Sequence, residues 1–174
     1  LNAAFIDVGS KKDGFLHYLD LGLYYKALEK FTKICMSGGG DSMDFAKLKE
    51  PKLEKSGKIV ETLKQGQVIL VQVSKEAIST KGPRLCTEIS FAGRYLVLVP
   101  FSEKVSVSQK IKSAEERNRL RKLIKSIKPD NFGIIIRTIA EGKSVAELDA
   151  DLKDLLSKWE SIKKKLPKAL PPTK

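Results

Sequence analysis

The chain has 174 residues, with 33 Lys+Arg against 21 Asp+Glu and a formal net charge of +12, a length that suits one large or two small domains. So large a positive excess speaks to partners rather than to fold, nucleic acid first and an anionic membrane surface second. No apolar run approaches the roughly 20 residues of a membrane span, no signal-peptide pattern is read at the start, and Cys35 and Cys86 have neither metal-ligand nor staple spacing, which fits a reducing, cytoplasmic setting. The opening LNAAFIDVG reads as a strand entered part-way, so a function found here is expected to belong to part of a larger protein. Residues 3–8 and 13–18 are short apolar runs joined by GSKK, a hairpin signal with Lys11 and Lys12 at its tip. Residues 23–35 carry a helix-compatible mix. The Gly- and Lys-rich stretch at about residues 36–56 lacks periodicity and is expected to be a flexible insertion. Gly66–Val73 is rich in β-branched residues and predicts a strand. Short strands with turn signals in this half suggest a small β-barrel.

The stretch STKGPRLCTEISFAGRYLVLVP, residues 79–100, places Lys81 and Arg84 on a Gly82-Pro83 turn before the apolar strand Tyr95–Val99. By itself that is a solvated hairpin loop. The second half then changes character. Ser113–Glu116 is a capping box, with Leu120, Leu123, Ile124 and Ile127 at helical spacing behind it, and Pro129-Asp130 ends that helix. Phe132–Ile136 is a continuous apolar strand. Ser144–Glu147 is a second capping box, followed by a stripe from Val145 to Ile162 that includes Trp159 and reads as core. Strand, helix, strand, helix after a β-rich half predicts two domains, with a boundary near residues 86–92.

Few residues suggest chemistry. Gly142-Lys143-Ser144 is not a phosphate loop, because Arg137 stands where that motif needs its first glycine. Ser144 is better read as a helix cap. Asp149, Asp151 and Asp154 diverge around a helix and read as a solvated face. His17 is the only histidine, so no Ser-His or Cys-His pair can be assembled. Arg137-Thr138 is different, because an apolar strand ending in an arginine and a hydroxyl presents both at its mouth. A guanidinium fork takes a phosphate through two parallel hydrogen bonds, and a threonine hydroxyl adds a third. The competing reading is a rim arginine paired with a surface carboxylate. Phe5 and Phe15, one on each hairpin arm, are either core residues or exposed rings on which bases stack.

Taken in order, Ala3–Gly9, Gly14-Phe15-Leu16, Thr80–Leu85, Gly93–Val97 and Arg137-Thr138 resemble the RNase E/G family of bacterial endoribonucleases, nearer its shorter ribonuclease G type. Gly142-Lys143-Ser144 and Trp159–Ile162 continue the pattern, and only the insertion at about residues 36–56 stands outside it. The resemblance implies an α+β fold: residues 1–87 as an S1-type, OB-fold β-barrel domain that is N-terminally partial, and residues 88–174 as a small mixed α/β 5′-sensor domain. It implies that Phe5, Phe15 and Lys81 contact single-stranded RNA. It also implies that Arg137 and Thr138 hold a 5′-monophosphate, helped by contacts at Gly93 and Val97. One departure is Gln109, followed by Lys110, where the family pattern has a basic residue. The family's magnesium-binding aspartate pair and its zinc-linking cysteines are expected beyond Lys174, so no cofactor is expected in these residues and magnesium is expected for the whole enzyme. The implied whole is a cytoplasmic, homo-oligomeric endoribonuclease for RNA processing and decay, with this portion inactive alone. The alternative is a non-catalytic OB-fold RNA-binding protein acting in translation or regulation, and a membrane-surface module fits poorly because the helical polar faces mix both charges.

Overall fold

A computed structural model describes residues 1–174. They form two compact units, one of Leu1–Met43, Glu50–Ile89 and Lys165–Lys174, the other of Asp44–Lys49 and Ser90–Lys164. Each carries one mixed four-stranded sheet, and the architecture is mixed α and β.

In the first unit β1 (Ala3–Ile6) and β2 (Gly14–His17) make the hairpin expected from their apolar runs, with Phe5 directly opposite Phe15. The unit continues through helix α1 (Tyr25–Met36), a single turn α2 (Ile59–Thr62), β3 (Gln72–Lys75) and β4 (Arg84–Cys86). The sheet order is β1-β2-β4-β3, with β2 and β4 parallel and the other pairs antiparallel. Alternation along the hairpin sends Ala4, Ile6 and Leu16 toward a core shared with Leu21, Tyr25, Ile59 and Leu85, and leaves Phe5 outside. Helix α1 buries Ala27, Leu28, Phe31 and Cys35 at helical spacing.

Two expectations for this unit need correction. The strand read at Gly66–Val73 pairs only from Gln72, because Lys64–Gln67 is spent on a turn with Gly66 at φ 81°, after which Ile69 and Val71 pack on the core without a ladder. The strands of this unit form one four-stranded sheet in order β1-β2-β4-β3. The second concerns residues 36–56, which are anchored rather than loose. Leu53 is buried and its N–H donates to Leu23 O at 2.9 Å, while Lys30 bonds Glu50 at 2.9 Å. Apolar anchors at irregular spacing leave no periodic trace in a sequence.

In the second unit β5 (Phe91–Ala92), β6 (Leu96–Pro100), β7 (Val105–Val107) and β8 (Phe132–Ile136) form a sheet in the order β5-β6-β8-β7, with helices α3 (Ala114–Ile127) and α4 (Val145–Lys165). Strands β6 and β8 are antiparallel in continuous register from Leu96↔Ile136 to Pro100↔Phe132. That register fixes where β8 ends, and therefore where Arg137 emerges. The core takes Leu96, Leu98, Ile134 and Ile136 from the sheet, Leu120 and Ile124 from α3, and Leu148, Leu152, Leu155 and Trp159 from α4. Trp159 meets the rings of Phe45, Phe91 and Phe101 edge-on at centroid distances of 5.8, 6.1 and 5.8 Å.

Of the two expected capping boxes, one closes. Ser144 N–H donates to Glu147 Oε2 at 2.9 Å and Glu147 N–H donates to Ser144 Oγ at 3.3 Å. At α3, Ser113 Oγ accepts from Glu116 N–H at 3.2 Å, but the Glu116 carboxylate turns instead to Arg119 and to the N–H of Gly142.

Candidate functional site

Each unit carries one set of side chains suited to binding. In the first, the antiparallel pairing of Phe5 with Phe15 stands their rings on one face of the sheet, edge to face at 6.0 Å between centroids. Phe5 is 67% exposed and Phe15 is half-buried, so neither ring belongs to the closed core. On its other edge β2 accepts the turn before β4: Phe15 N–H donates to Pro83 O at 2.8 Å. Lys81 lies two residues earlier, exposed, in a tight turn closed by reciprocal bonds with Ile78 at 2.8 and 3.1 Å.

The geometry of that turn explains its glycine. A Cβ at Gly82 would lie 2.0 Å from the carbonyl oxygen of Asp13, so only glycine lets the turn press against the start of β2. Lys12 Nζ donates to Thr80 O and ties the hairpin tip to the same turn. Lys81 and Arg84 have separate roles. Arg84 is committed to Asp20, through Nε at 3.2 Å and Nη2 at 3.1 Å to Oδ2, whereas Lys81 is exposed.

In the second unit Arg137 directly follows β8, and its N–H donates to Tyr95 O at 2.8 Å. Its guanidinium is exposed and donates from Nη1 to Gly93 O at 2.6 Å. A guanidinium has five N–H donors, and the Gly93 bond uses one. Thr138 is exposed beside it, with Oγ1 at 2.7 Å from Ser108 Oγ. Ser108 Oγ in turn accepts from Lys110 N–H at 3.3 Å, and Ser108 N–H donates to Ile136 O at 2.9 Å. Val97 stands opposite Ile135 in the neighbouring strand, and Gln109 and Lys110 are exposed just after Ser108. One charged fork, two hydroxyls and a nearby lysine therefore gather at the end of β8. Such a set can bind an oxyanion.

Sequence reasoning missed two residues here, Ser108 and Asp151. Ser108 carries no motif. Gly93 is needed because a Cβ there would lie 2.6–2.9 Å from the carboxylate of Asp151. Asp151 itself, expected on a solvated face, accepts backbone N–H bonds from Arg94, Tyr95 and Leu96, whereas Asp149 and Asp154 do pair with surface lysines 153 and 158.

Glu116 fixes the loop ahead of α4. The Arg119 guanidinium and the Gly142 N–H hold its carboxyl far below the ordinary carboxylate value, down to about 2. Because the folded-state value is depressed, the stability Glu116 contributes is complete above the ordinary value of 4.5 and is lost as pH falls toward 2. The gap in unfolding midpoint between the wild type and Glu116→Gln should therefore be largest at neutral pH and close on acidification. A gap that stays constant from neutral pH down to acid would show that the carboxylate bonds contribute nothing.

No three His, Cys, Asp or Glu side chains converge to hold a metal ion. No helix is long and apolar enough to cross a membrane.

A basic chain with one exposed and one half-buried ring paired in one unit, and an oxyanion-competent fork in the other, has features found in nucleic-acid-binding proteins. Residues 90–174 match the family model described as Ribonuclease E/G family. The chain is 39% identical over 163 residues to Ribonuclease E of Nostoc sp., and 37% identical over 162 residues to Ribonuclease G of Escherichia coli K12. Each alignment takes in 93% of this chain but only 20% and 29% of the respective relative. A Staphylococcus aureus RNase P protein structure aligns with 41% of the chain at 22% identity and a TM-score of 0.32, too slight a likeness to bear on the fold. The chain belongs to the Ribonuclease E/G family, and spans less than a third of the length of the relatives it matches.

Proposed function

We propose that this chain is the RNA-binding and 5′-end-sensing portion of an RNase E/G-type endoribonuclease acting in RNA processing and decay. The first unit, read as an S1-type OB-fold domain, holds single-stranded RNA on Phe5, Phe15 and Lys81. The second, read as a 5′-sensor domain, takes a 5′-monophosphate on Arg137 and Thr138, with Gly93 and Val97 shaping the place. Hydrolysis belongs to the whole enzyme, cytoplasmic and homo-oligomeric on this reading, where bound magnesium would supply the activation of water, and none of the residues described here would hold it.

The observation that carries the reading is the exposed Arg137 guanidinium, oriented by Gly93 O and standing beside Thr138. The chemistry rests on charge and shape. A terminal phosphomonoester offers two negative charges and three acceptor oxygens, and a 5′-hydroxyl offers neither. A charge-assisted bond of this type is worth roughly 1.5–3 kcal/mol, about tenfold to a hundredfold in affinity. Matched RNAs differing only at the 5′ group test it. The wild type should favour the 5′-monophosphate by that factor, and Arg137→Ala should remove the preference. Arg137→Lys, which keeps charge but loses the planar fork, should remove most of it. Equal affinity of the wild type for both RNAs would end the sensing reading.

A further inference from the structure

We infer that Asp151, on helix α4, is a positioning residue for the 5′-phosphate site: it holds the turn between β5 and β6 in the one shape that presents Gly93 O to Arg137. The inference rests on the 5′-sensing reading and names a residue of that site that touches no RNA.

The turn is held from one side by a single carboxylate. Asp151 Oδ1 accepts from Arg94 N–H at 3.1 Å, and Oδ2 accepts from Tyr95 N–H at 2.9 Å and Leu96 N–H at 3.0 Å. Three successive amides converging on one carboxylate form a nest of the kind that binds anions, here filled by the chain's own side chain. The turn is closed internally by Gly93 N–H donating to Leu96 O at 2.7 Å. Gly93 has no alternative, since any Cβ would enter the Asp151 carboxylate. From this fixed turn two carbonyls reach Arg137. Tyr95 O accepts its backbone N–H at 2.8 Å and Gly93 O accepts its Nη1 at 2.6 Å. Asp151 thus sets both ends of the arginine through the turn, without touching it.

The position of Asp151 on α4 is itself well determined. Leu152 and Leu155, on the same helix, are buried in the core, so the carboxylate stands on a rigid support. A neutral amide cannot replace it. Asn at 151 would keep one acceptor oxygen but turn an NH2 group toward amides that can only donate. The turn would relax, and Gly93 O would no longer fix the guanidinium.

The experiment compares binding of 5′-monophosphorylated and 5′-hydroxyl RNA oligonucleotides of matched sequence, and reads the ratio of the two affinities together with the unfolding midpoint. Asp151→Asn should cut the ratio about tenfold, most of what a charge-assisted bond supplies, with the loss confined to the phosphorylated RNA. A purely structural role would weaken both RNAs alike and leave the ratio where it was. Asp151→Glu, which keeps the carboxylate on a longer arm, should recover part of the ratio and guards against a fold lost in the Asn variant. Asp149→Asn and Asp154→Asn, whose partners are lysines on the helix surface, should match the wild type. A wild-type preference that survives undiminished in Asp151→Asn would overturn the role of Asp151 alone. A wild type with no preference would overturn the 5′-sensing reading on which it stands.

Discussion

Asn131→Ala is expected to lower the unfolding free energy of the second unit by about 2–4 kcal/mol, a large loss for a single substitution. Asn131 precedes β8 and is 1% exposed. Its Nδ2 donates to Phe45 O at 2.8 Å and to Leu48 O at 2.9 Å, fastening the segment Asp44–Lys49 to its unit. Alanine strands Leu48 O, at roughly 1–3 kcal/mol where burial denies it water, and leaves Phe45 O with its bond from Leu48 N–H at 3.0 Å. Asn131 also sits at φ +67°, in the left-handed region that asparagine tolerates better than alanine by about 1 kcal/mol. Two companions separate the causes. Asn131→Gly accepts the backbone angle and should show only the loss of the donors. Asn131→Asp faces two carbonyls with acceptors and should be at least as damaging as alanine. Chemical unfolding with a signal from Trp159, which lies in the same unit's core, reads all three. A loss below about 1 kcal/mol in Asn131→Ala would mean that Leu48 O finds another donor, and that the segment is held by the Phe45 ring and Leu48 packing.

That same segment shows where the sequence was legible and where it was not. Periodic features could be read directly: the β1–β2 hairpin from two apolar runs, α3 and α4 from capping serines ahead of apolar stripes, and β8 from an unbroken apolar run. The hairpin obeys a repeat of two and the helices one of about 3.6, and burial enforces each repeat, whereas β8 shows only continuous apolarity. Residues 36–56 obey none. Phe45, Leu48 and Leu53 act singly as anchors, and their partners lie far along the chain. The strand anticipated at Gly66–Val73 had the right composition, but a strand also needs a neighbour, and pairing with β4 begins at Gln72. Composition alone does not supply register.

The candidate sites divide in the same way. Arg137 and Thr138 could be located because an apolar strand must stop, and the residues just past its end are set out at its mouth. Asp151 could not, since its neighbours Asp149 and Asp154 are ordinary surface carboxylates and nothing local distinguishes it. Its partners are amides more than 50 residues away in sequence. Residues that position a site through the backbone of another element leave no pattern in their own segment, and only the folded chain brings them together.

The second large effect is expected on the other unit. The double variant Phe5→Ala/Phe15→Ala should weaken binding of single-stranded RNA by about 2–5 kcal/mol, with little change in folding stability. Base–aromatic stacking is worth roughly 1–3 kcal/mol per ring. The stability cost is small because Phe5 is 67% exposed and its removal opens no cavity. Phe15 is half-buried and should cost more of the fold than Phe5. The two rings touch at 6.0 Å, so their effects on binding should not simply add. If the rings form one platform for successive bases, each supports the other, and removing the second after the first should cost less than removing it alone. Lys81→Ala supplies the contrast. A phosphate contact is lost with its counterion release, so its effect should shrink as salt rises, while the effect of the rings should persist. Fluorescence titration of a short labelled RNA at two salt concentrations, with wild type, both single variants, the double variant and Lys81→Ala, reads every term. Unchanged affinity in the double variant at both salt concentrations would remove the rings from the RNA path, leaving this face of the sheet to some other partner.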